Sequence, residues 1–249
     1  YQGHKGPVYA LCAASEPGHF LSGSSDGSVV RWNVKEPGTG ITEARIGRAI
    51  YALHRKGHLL FIGDEDGGLH VTDLITRQET QLERAHVKGI FAIVELPENR
   101  LAVAAGDGSL SIWKQGADAQ LSLQRKIPLA NEKLRGLAVN ADASLIAVAC
   151  GDGSIRILDT TDLNEHFTLP GHANGANCVA WHPSKPVLVS GGKDGHLRTW
   201  RSDADFQALH ALPAHKDTIY RLAFSPDGMR CATASRDRSA KVWDASSFE

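Results

Sequence analysis

Several things are scarce in this chain, and each scarcity excludes something. Among 249 residues there is one methionine, and aromatic residues make up only 6%. Charge of one sign is missing too: 27 Lys and Arg oppose 28 Asp and Glu, a net charge of −1. No general electrostatic grip on nucleic acid or an acidic membrane is therefore expected. No basic run carries the interleaved aromatics of a single-strand platform either. The cysteines Cys12, Cys150, Cys178 and Cys231 form no CxxC pair, and each lies in an apolar run. They read as reduced core thiols of an intracellular protein, not as a disulfide framework. No stretch approaches the roughly 18 apolar residues of a membrane span, and no basic-then-apolar leader is seen. The expected compartment is the cytoplasm, with the nucleus also open.

Glycine, by contrast, is abundant, with 25 copies. Each would cost about 1 kcal/mol against alanine inside a helix, so the count points to a turn-rich, all-β chain. A repeat organises it. Turn aspartates recur at Asp26, Asp66, Asp107, Asp152, Asp194 and Asp237, spaced by 40, 41, 45, 42 and 43 residues. Six positions past each lie Trp32, Thr72, Trp113, Leu158, Trp200 and Trp243. Upstream, a histidine slot holds His4, Ile46, His86, Ala130, His172 and His215. Six units follow, at about 1–40, 41–79, 80–120, 121–162, 163–205 and 206–249. Each reads as four short strands around a turn, often Asp-Gly, the favoured two-residue hairpin signal. The most polar strand of each unit should be the outer edge. One such sheet cannot bury both faces, whereas six stacked radially can.

The residues that carry these spacings resemble the WD-repeat β-propellers. Gly3-His4, Gly171-His172, the turn aspartates and the terminal Trp243-Asp244 all match that family's pattern. The resemblance spans essentially the whole chain. It implies an all-β propeller of six four-stranded antiparallel blades, or a seven-bladed ring with one blade absent from this chain. It also implies a hydrogen-bonded tetrad of His, Ser/Thr, Asp and Trp in each regular blade. Complete sets would be His4, Ser22, Asp26 and Trp32; His172, Ser190, Asp194 and Trp200; and His215, Thr233, Asp237 and Trp243. The third unit has Val103 in the hydroxyl slot beside His86, Asp107 and Trp113. The second keeps only Asp66 and the fourth only Asp152, so these two blades are expected to rely on apolar packing and to be softer. The outer strand that should precede Gly3 is missing; only Tyr1-Gln2 or residues 245–249 can supply part of it, so closure is expected to be weak.

Recurring Ser, His and Asp invite a hydrolase reading. Three copies, each with a tryptophan attached, argue instead for buried bracing networks. The other histidines (His19, His54, His58, His70, His166, His182, His196 and His210) show no ligand spacing and read as turn or solvated residues. The Gly-rich AGDGS and CGDGS segments are hairpins, not phosphate loops. The sequence calls for no cofactor, no metal and no small-molecule substrate.

Function should lie where the repeat departs from its own pattern. The fourth position past the histidine slot holds Val8, Ile50, Ile90, Leu134, Ala176 and Ile219; the seventh holds Leu11, Leu53, Ile93, Leu137, Val179 and Leu222. Both series are expected to be core between blades. Small residues dominate the sixth position, apart from Arg221, which should reach water. The fifth holds Tyr9, Tyr51, Phe91, Arg135, Asn177 and Tyr220. The family resemblance places this position at the top face, near the mouth of the channel. Lys193 and Arg236, each before a turn aspartate, look toward the same face. Tyr and Arg are common interface anchors. The candidate protein-binding residues are thus Tyr9, Tyr51, Phe91, Arg135, Lys193, Tyr220 and Arg236. The expected function is a non-catalytic scaffold or adaptor that grips a peptide or loop with acidic and apolar groups. The alternative is an accessory propeller that presents or regulates an enzyme in a larger chain or complex.

Overall fold

A computed structural model describes residues 3–36 and 38–248. Its elements are all strands; no helix occurs among the described residues. The first sheet runs β1 (Val8–Ala13), β2 (His19–Ser24), β3 (Ser28–Asn33) and β4 (Ile41–Arg45). The second holds β5 (Ile50–Lys56), β6 (Leu59–Asp64), β7 (Gly68–Asp73) and β8 (Gln78–Arg84). The third holds β9 (Ile90–Leu96), β10 (Arg100–Ala105), β11 (Ser109–Gln115) and β12 (Leu121–Pro128). The fourth comprises β13 (Leu134–Val139), β14 (Leu145–Cys150), β15 (Ile155–Asp159) and β16 (Glu165–Leu169). The fifth comprises β17 (Ala176–Trp181), β18 (Val187–Gly192), β19 (His196–Arg201) and β20 (Gln207–Pro213). The sixth has β21 (Ile219–Phe224), β22 (Arg230–Ser235) and β23 (Ala240–Asp244).

Every sheet is a meander whose strands neighbour one another in sequence order. The polar strands β4, β8, β12, β16 and β20 are the outer edges of the first five sheets. Each outer strand comes from residues that open the following sequence period, so sheets and periods are offset by one strand. Among the described residues the sixth sheet holds the three strands β21, β22 and β23. Residues 245–248 do not supply the fourth. They turn instead, with the Phe248 N–H on the Asp244 carbonyl at 2.7 Å and the Phe248 ring buried in the core. The other segment named for this role, Tyr1-Gln2, lies with Glu249 outside the described residues.

Two compact units make up the chain: Tyr1–Val94 with Asn99–Ile127, and Glu95–Glu98 with Pro128–Glu249. In the first, β1 lies beside β5; in the second, β13 lies beside β17, and β17 beside β21. The apolar positions seal these joints. Ile50, Ile90, Leu134, Ala176 and Ile219 are fully buried, and Ile50, Ile90 and Ile219 press on Gly23, Gly63 and Gly191 of the preceding sheet. A side chain at those glycines would collide with the isoleucine. The first sheet departs from the series. Val8 is 47% and Leu11 65% exposed. The cysteines Cys150, Cys178 and Cys231 are buried, and burial pushes the Cys178 thiol up to about 12.

The turns explain part of the glycine content. Gly153 has a φ of +98°, and a Cβ there would collide with the His172 carbonyl oxygen. Gly153→Ala therefore combines a left-handed backbone with a backbone clash. It is expected to cost roughly 1–3 kcal/mol, read as a lowered urea midpoint. An unchanged midpoint would show that the turn relaxes freely.

Candidate protein-binding site

Side-chain hydrogen-bond sets brace the sheets whose first strands carry Tyr9, Tyr51, Phe91, Arg135 and Tyr220. In the first sheet His4 Nε2 lies 2.7 Å from Ser22 Oγ, and the Trp32 indole N–H donates to the same oxygen at 2.6 Å. His4 Nδ1 lies 3.2 Å from the Asp26 carboxylate, which also accepts the Lys5 and Ser28 N–H groups. A carboxylate at Nδ1 fixes the proton there, so Nε2 accepts from the hydroxyl and the indole completes a directed chain. Burial pushes the Asp26 carboxyl up, but the Ser28, Lys5 and His4 hydrogen bonds outweigh it and leave it below the usual range. The sixth sheet repeats the set: His215 Nε2 is 2.7 Å from Thr233 Oγ1, Trp243 donates to that oxygen, and Asp237 meets Nδ1 at 3.0 Å. In the fifth sheet His172 reaches Ser190 at 2.6 Å and Asp194 at 2.8 Å. Arg198 adds a bond to Asp194, while Trp200 is buried in the core. Burial also holds the His172 imidazole below its ordinary pKa, against the pull of Asp194.

The irregular blades are clamped as well, by a route the hydroxyl slot alone does not reveal. In the third sheet His86 Nε2 and Trp113 Nε1 both meet Ser111 Oγ, each at 2.8 Å. Ser111 sits directly across the ladder from Val103. The first sheet has the same pair inverted, Ser22 opposite Val30. In the second sheet the slot residue Ile62 faces His70, and in the fourth Val148 faces Arg156. Cross-strand partners share one face of a sheet, so the polar group has moved one strand outward and still reaches the network. His70 is thus neither solvated nor a turn residue. It is buried, 3.0 Å from Asp64 and 2.9 Å from Glu79. Asp64 receives the Asp66 and Gly68 N–H groups and clamps the turn, whereas the expected Asp66 is exposed and pairs with Arg48. Arg156 joins Glu165 at 3.0 Å and Asp152 at 3.8 Å. The second and fourth blades therefore do not rely on apolar packing alone. Eight residues past the hydroxyl slot, a polar residue in each irregular unit was the available signal.

The fifth-position residues fall into two groups, one in each unit. In the first unit Tyr9 and Tyr51 meet edge to face at 5.2 Å, and Tyr51 stacks parallel on Phe91 at 5.3 Å. Tyr9 is 46% exposed, and the other two are half-buried. Burial raises the Tyr51 hydroxyl pKa, helped by the nearby Glu65 and Tyr9. These three thus both pack on one another and present aromatic surface.

In the second unit Arg135, Asn177 and Tyr220 stand at equivalent positions of β13, β17 and β21. Arg135 is half-buried, Asn177 buried, and Tyr220 51% exposed. Asn177 Nδ2 donates to the Ile219 carbonyl at 3.1 Å. Lys193 and Arg236 are exposed: Lys193 lies along Gly175, and Arg236 is 3.7 Å from Asp217. Arg221, the exception among the small sixth-position residues, is exposed on β21, as its charge demands. Among the described residues no group of three or more His, Cys, Asp or Glu gathers as a metal site. No described helix is long and apolar enough to cross a membrane.

Six antiparallel meander sheets braced in this way define a β-propeller. The same fold occurs in a chain of the Mitotic Checkpoint Complex, at a TM-score of 0.86 and 20% identity over 95% of this chain and 74% of that one. The chain carries WD repeats: the family model described as "WD domain, G-beta repeat" matches residues 1–33, 164–201 and 206–244. The matched stretches contain the three regular histidine sets. A relative, Cilia- and flagella-associated protein 52 of Bos taurus, is 25% identical across 95% of this chain. This chain spans only 38% of that protein's length. Protein transport protein sec13 of Emericella nidulans is 26% identical over 97% of this chain and 78% of its own.

Proposed function

We propose that this propeller is a non-catalytic protein-interaction scaffold that holds a peptide or loop on the top face of its blades. The observation that carries this reading is the fifth-position series. In a chain with 6% aromatic residues, four of six equivalent slots are aromatic. Tyr9 and Tyr220 are about half exposed, which leaves ring surface for a partner. Exposed tyrosines anchor interfaces at small entropic cost. The histidine, serine and aspartate sets are buried braces, so they leave no exposed nucleophile for catalysis. An intracellular compartment agrees with the unpaired cysteines.

Affinity capture from the source cell, with identification of the retained proteins, tests this reading. Tyr9→Ala combined with Tyr220→Ala should lose at least tenfold in retention of the captured partner, while the melting temperature moves by no more than about 2 °C. Retention that survives both changes would sink the assignment of this face. Tyr51→Ala is a different matter: it removes a stacked ring and should lower the melting temperature by several degrees, roughly 1 kcal/mol of aromatic pairing.

A further inference from the structure

We propose that the aromatic ladder of the first unit is a subsite for an arginine side chain of the bound peptide, whose guanidinium lies on the Tyr9 ring and donates to the Tyr51 hydroxyl and the Glu65 carboxylate. This rests on the scaffold reading above and names a residue that the held segment carries. The ladder is Tyr9 on β1, Tyr51 on β5 and Phe91 on β9, with Phe91 stacked on Tyr51 and Tyr9, 46% exposed, at the open end. Glu65, in the turn between β6 and β7, is fixed beside Tyr51. Its N–H donates to the Ala49 carbonyl at 2.9 Å, and its Oε1 accepts the Ala49 N–H at 3.1 Å. Gly89 packs where a Cβ would touch both the Glu65 carbonyl oxygen and the Tyr51 ring.

The ladder asks for a cation. Among the described residues, the exposed Glu65 carboxylate forms no ion pair, and the Tyr9 and Tyr51 hydroxyls have no hydrogen-bond partner. Burial first, then the charge of Glu65 and then Tyr9, raise the Tyr51 hydroxyl pKa, so both groups lie within electrostatic reach of that oxygen. Arg48 is paired with Asp66, and Lys88 stands beside Phe91, at the end of the ladder away from Tyr9. Electron-rich ring faces next to a carboxylate attract a cation. A guanidinium fits better than an ammonium, because its plane extends a stack of rings and its fork of N–H groups reaches two acceptors at once. A partner's acid would set like charge against Glu65, and an aliphatic side chain would strip water from the carboxylate and return nothing. The first unit thus differs in character from the second, where Lys193 and Arg236 are exposed.

The test uses capped peptide libraries with randomised flanks and a fixed central Arg, citrulline, Lys, Gln or Glu. Citrulline keeps the planar shape without the charge. The immobilised wild-type protein should retain the Arg library at least tenfold over citrulline, Gln and Glu, and at least threefold over Lys. Glu65→Gln preserves the acceptor for the Ala49 N–H and should cut the Arg-over-citrulline ratio at least threefold. Glu36→Gln, at an exposed acid just past β3, should leave that ratio unchanged. Tyr9→Leu, which removes the ring, should also cut it at least threefold; if that variant melts early, Glu65→Gln decides alone. Equal retention of Arg and citrulline, equal retention of Arg and Lys, or a ratio that Glu65→Gln leaves unchanged overturns the arginine subsite. If Tyr9→Ala with Tyr220→Ala loses the captured partner while the libraries show no Arg preference, the scaffold stands and the subsite falls. If the wild type retains no library, the subsite falls, and partner capture decides the scaffold reading by itself.

Discussion

Replacing His70 by valine is expected to destabilise the protein by about 3–5 kcal/mol near neutral pH, as the cost of stranding a buried charge. His70 and Asp64 have side chains only 5% and 4% exposed, and they meet at 3.0 Å. Valine leaves Asp64 with the backbone N–H groups of Asp66 and Gly68 and only the weaker pull of the Arg48 charge. The pH dependence follows from both partners. Burial pushes the His70 pKa down, but the hydrogen bonds and charges of Asp64 and Glu79 outweigh it, so the folded value lies above the ordinary 6.5. That contribution is complete below the unfolded value and fades as pH rises through the raised one. Asp64 behaves oppositely. Burial pushes its pKa up, yet hydrogen bonds from His70 and Gly68 bring it below 3.8. Its contribution is complete above the unfolded value and fades as pH falls through the depressed one. The gap between wild type and His70→Val should therefore be widest between about pH 4 and about pH 6.5. Urea midpoints at about pH 5 and about pH 9 check this, and equal gaps would show that the pair is not ionic.

The second large effect concerns the inverted pair of the third blade. Ser111→Val should cost about 2–4 kcal/mol, because His86 Nε2 and Trp113 Nε1 both lose their partner in a dry interior. Both ring nitrogens are deep, with the His86 side chain fully buried. Val103→Ser added to Ser111→Val rebuilds the arrangement of Ser22 opposite Val30. The double variant should recover to within about 1 kcal/mol of wild type, so that the two changes couple strongly. Thermal melts of wild type, both single variants and the double measure that coupling. If the double is as unstable as the sum of the singles, the hydroxyl's position on a given strand matters and the ladder equivalence fails.

These two networks mark where residue-by-residue reading stops. The period, the hairpin turns, the edge character of β4, β8, β12, β16 and β20, and the regular histidine sets are all written in local spacing. Local spacing survives because each blade is built from contiguous chain and meanders in sequence order. The roles of Ser111 and His70 depend on Val103 and Ile62, which lie across the ladder from them. A slot scored along one strand misses a group that moved to the next. Likewise, the turn clamp of the second blade passed from the register position Asp66 to Asp64, two residues away, because only the latter's carboxylate faces His70.

By itself the sequence determined the repeat, the family, the all-β class and the order of the strands, since these follow from periodic local signals. Only the tertiary structure decided which residue pairs share a face, that Val8 and Leu11 lie open where their counterparts are buried, and that residues 245–248 turn back instead of extending the last sheet. It also decided that Asn177 is buried, with its amide on the Ile219 carbonyl of the neighbouring strand. The physical reason is common to all four: burial and hydrogen-bond satisfaction belong to neighbours in space, and those neighbours lie about 40 residues apart in the chain.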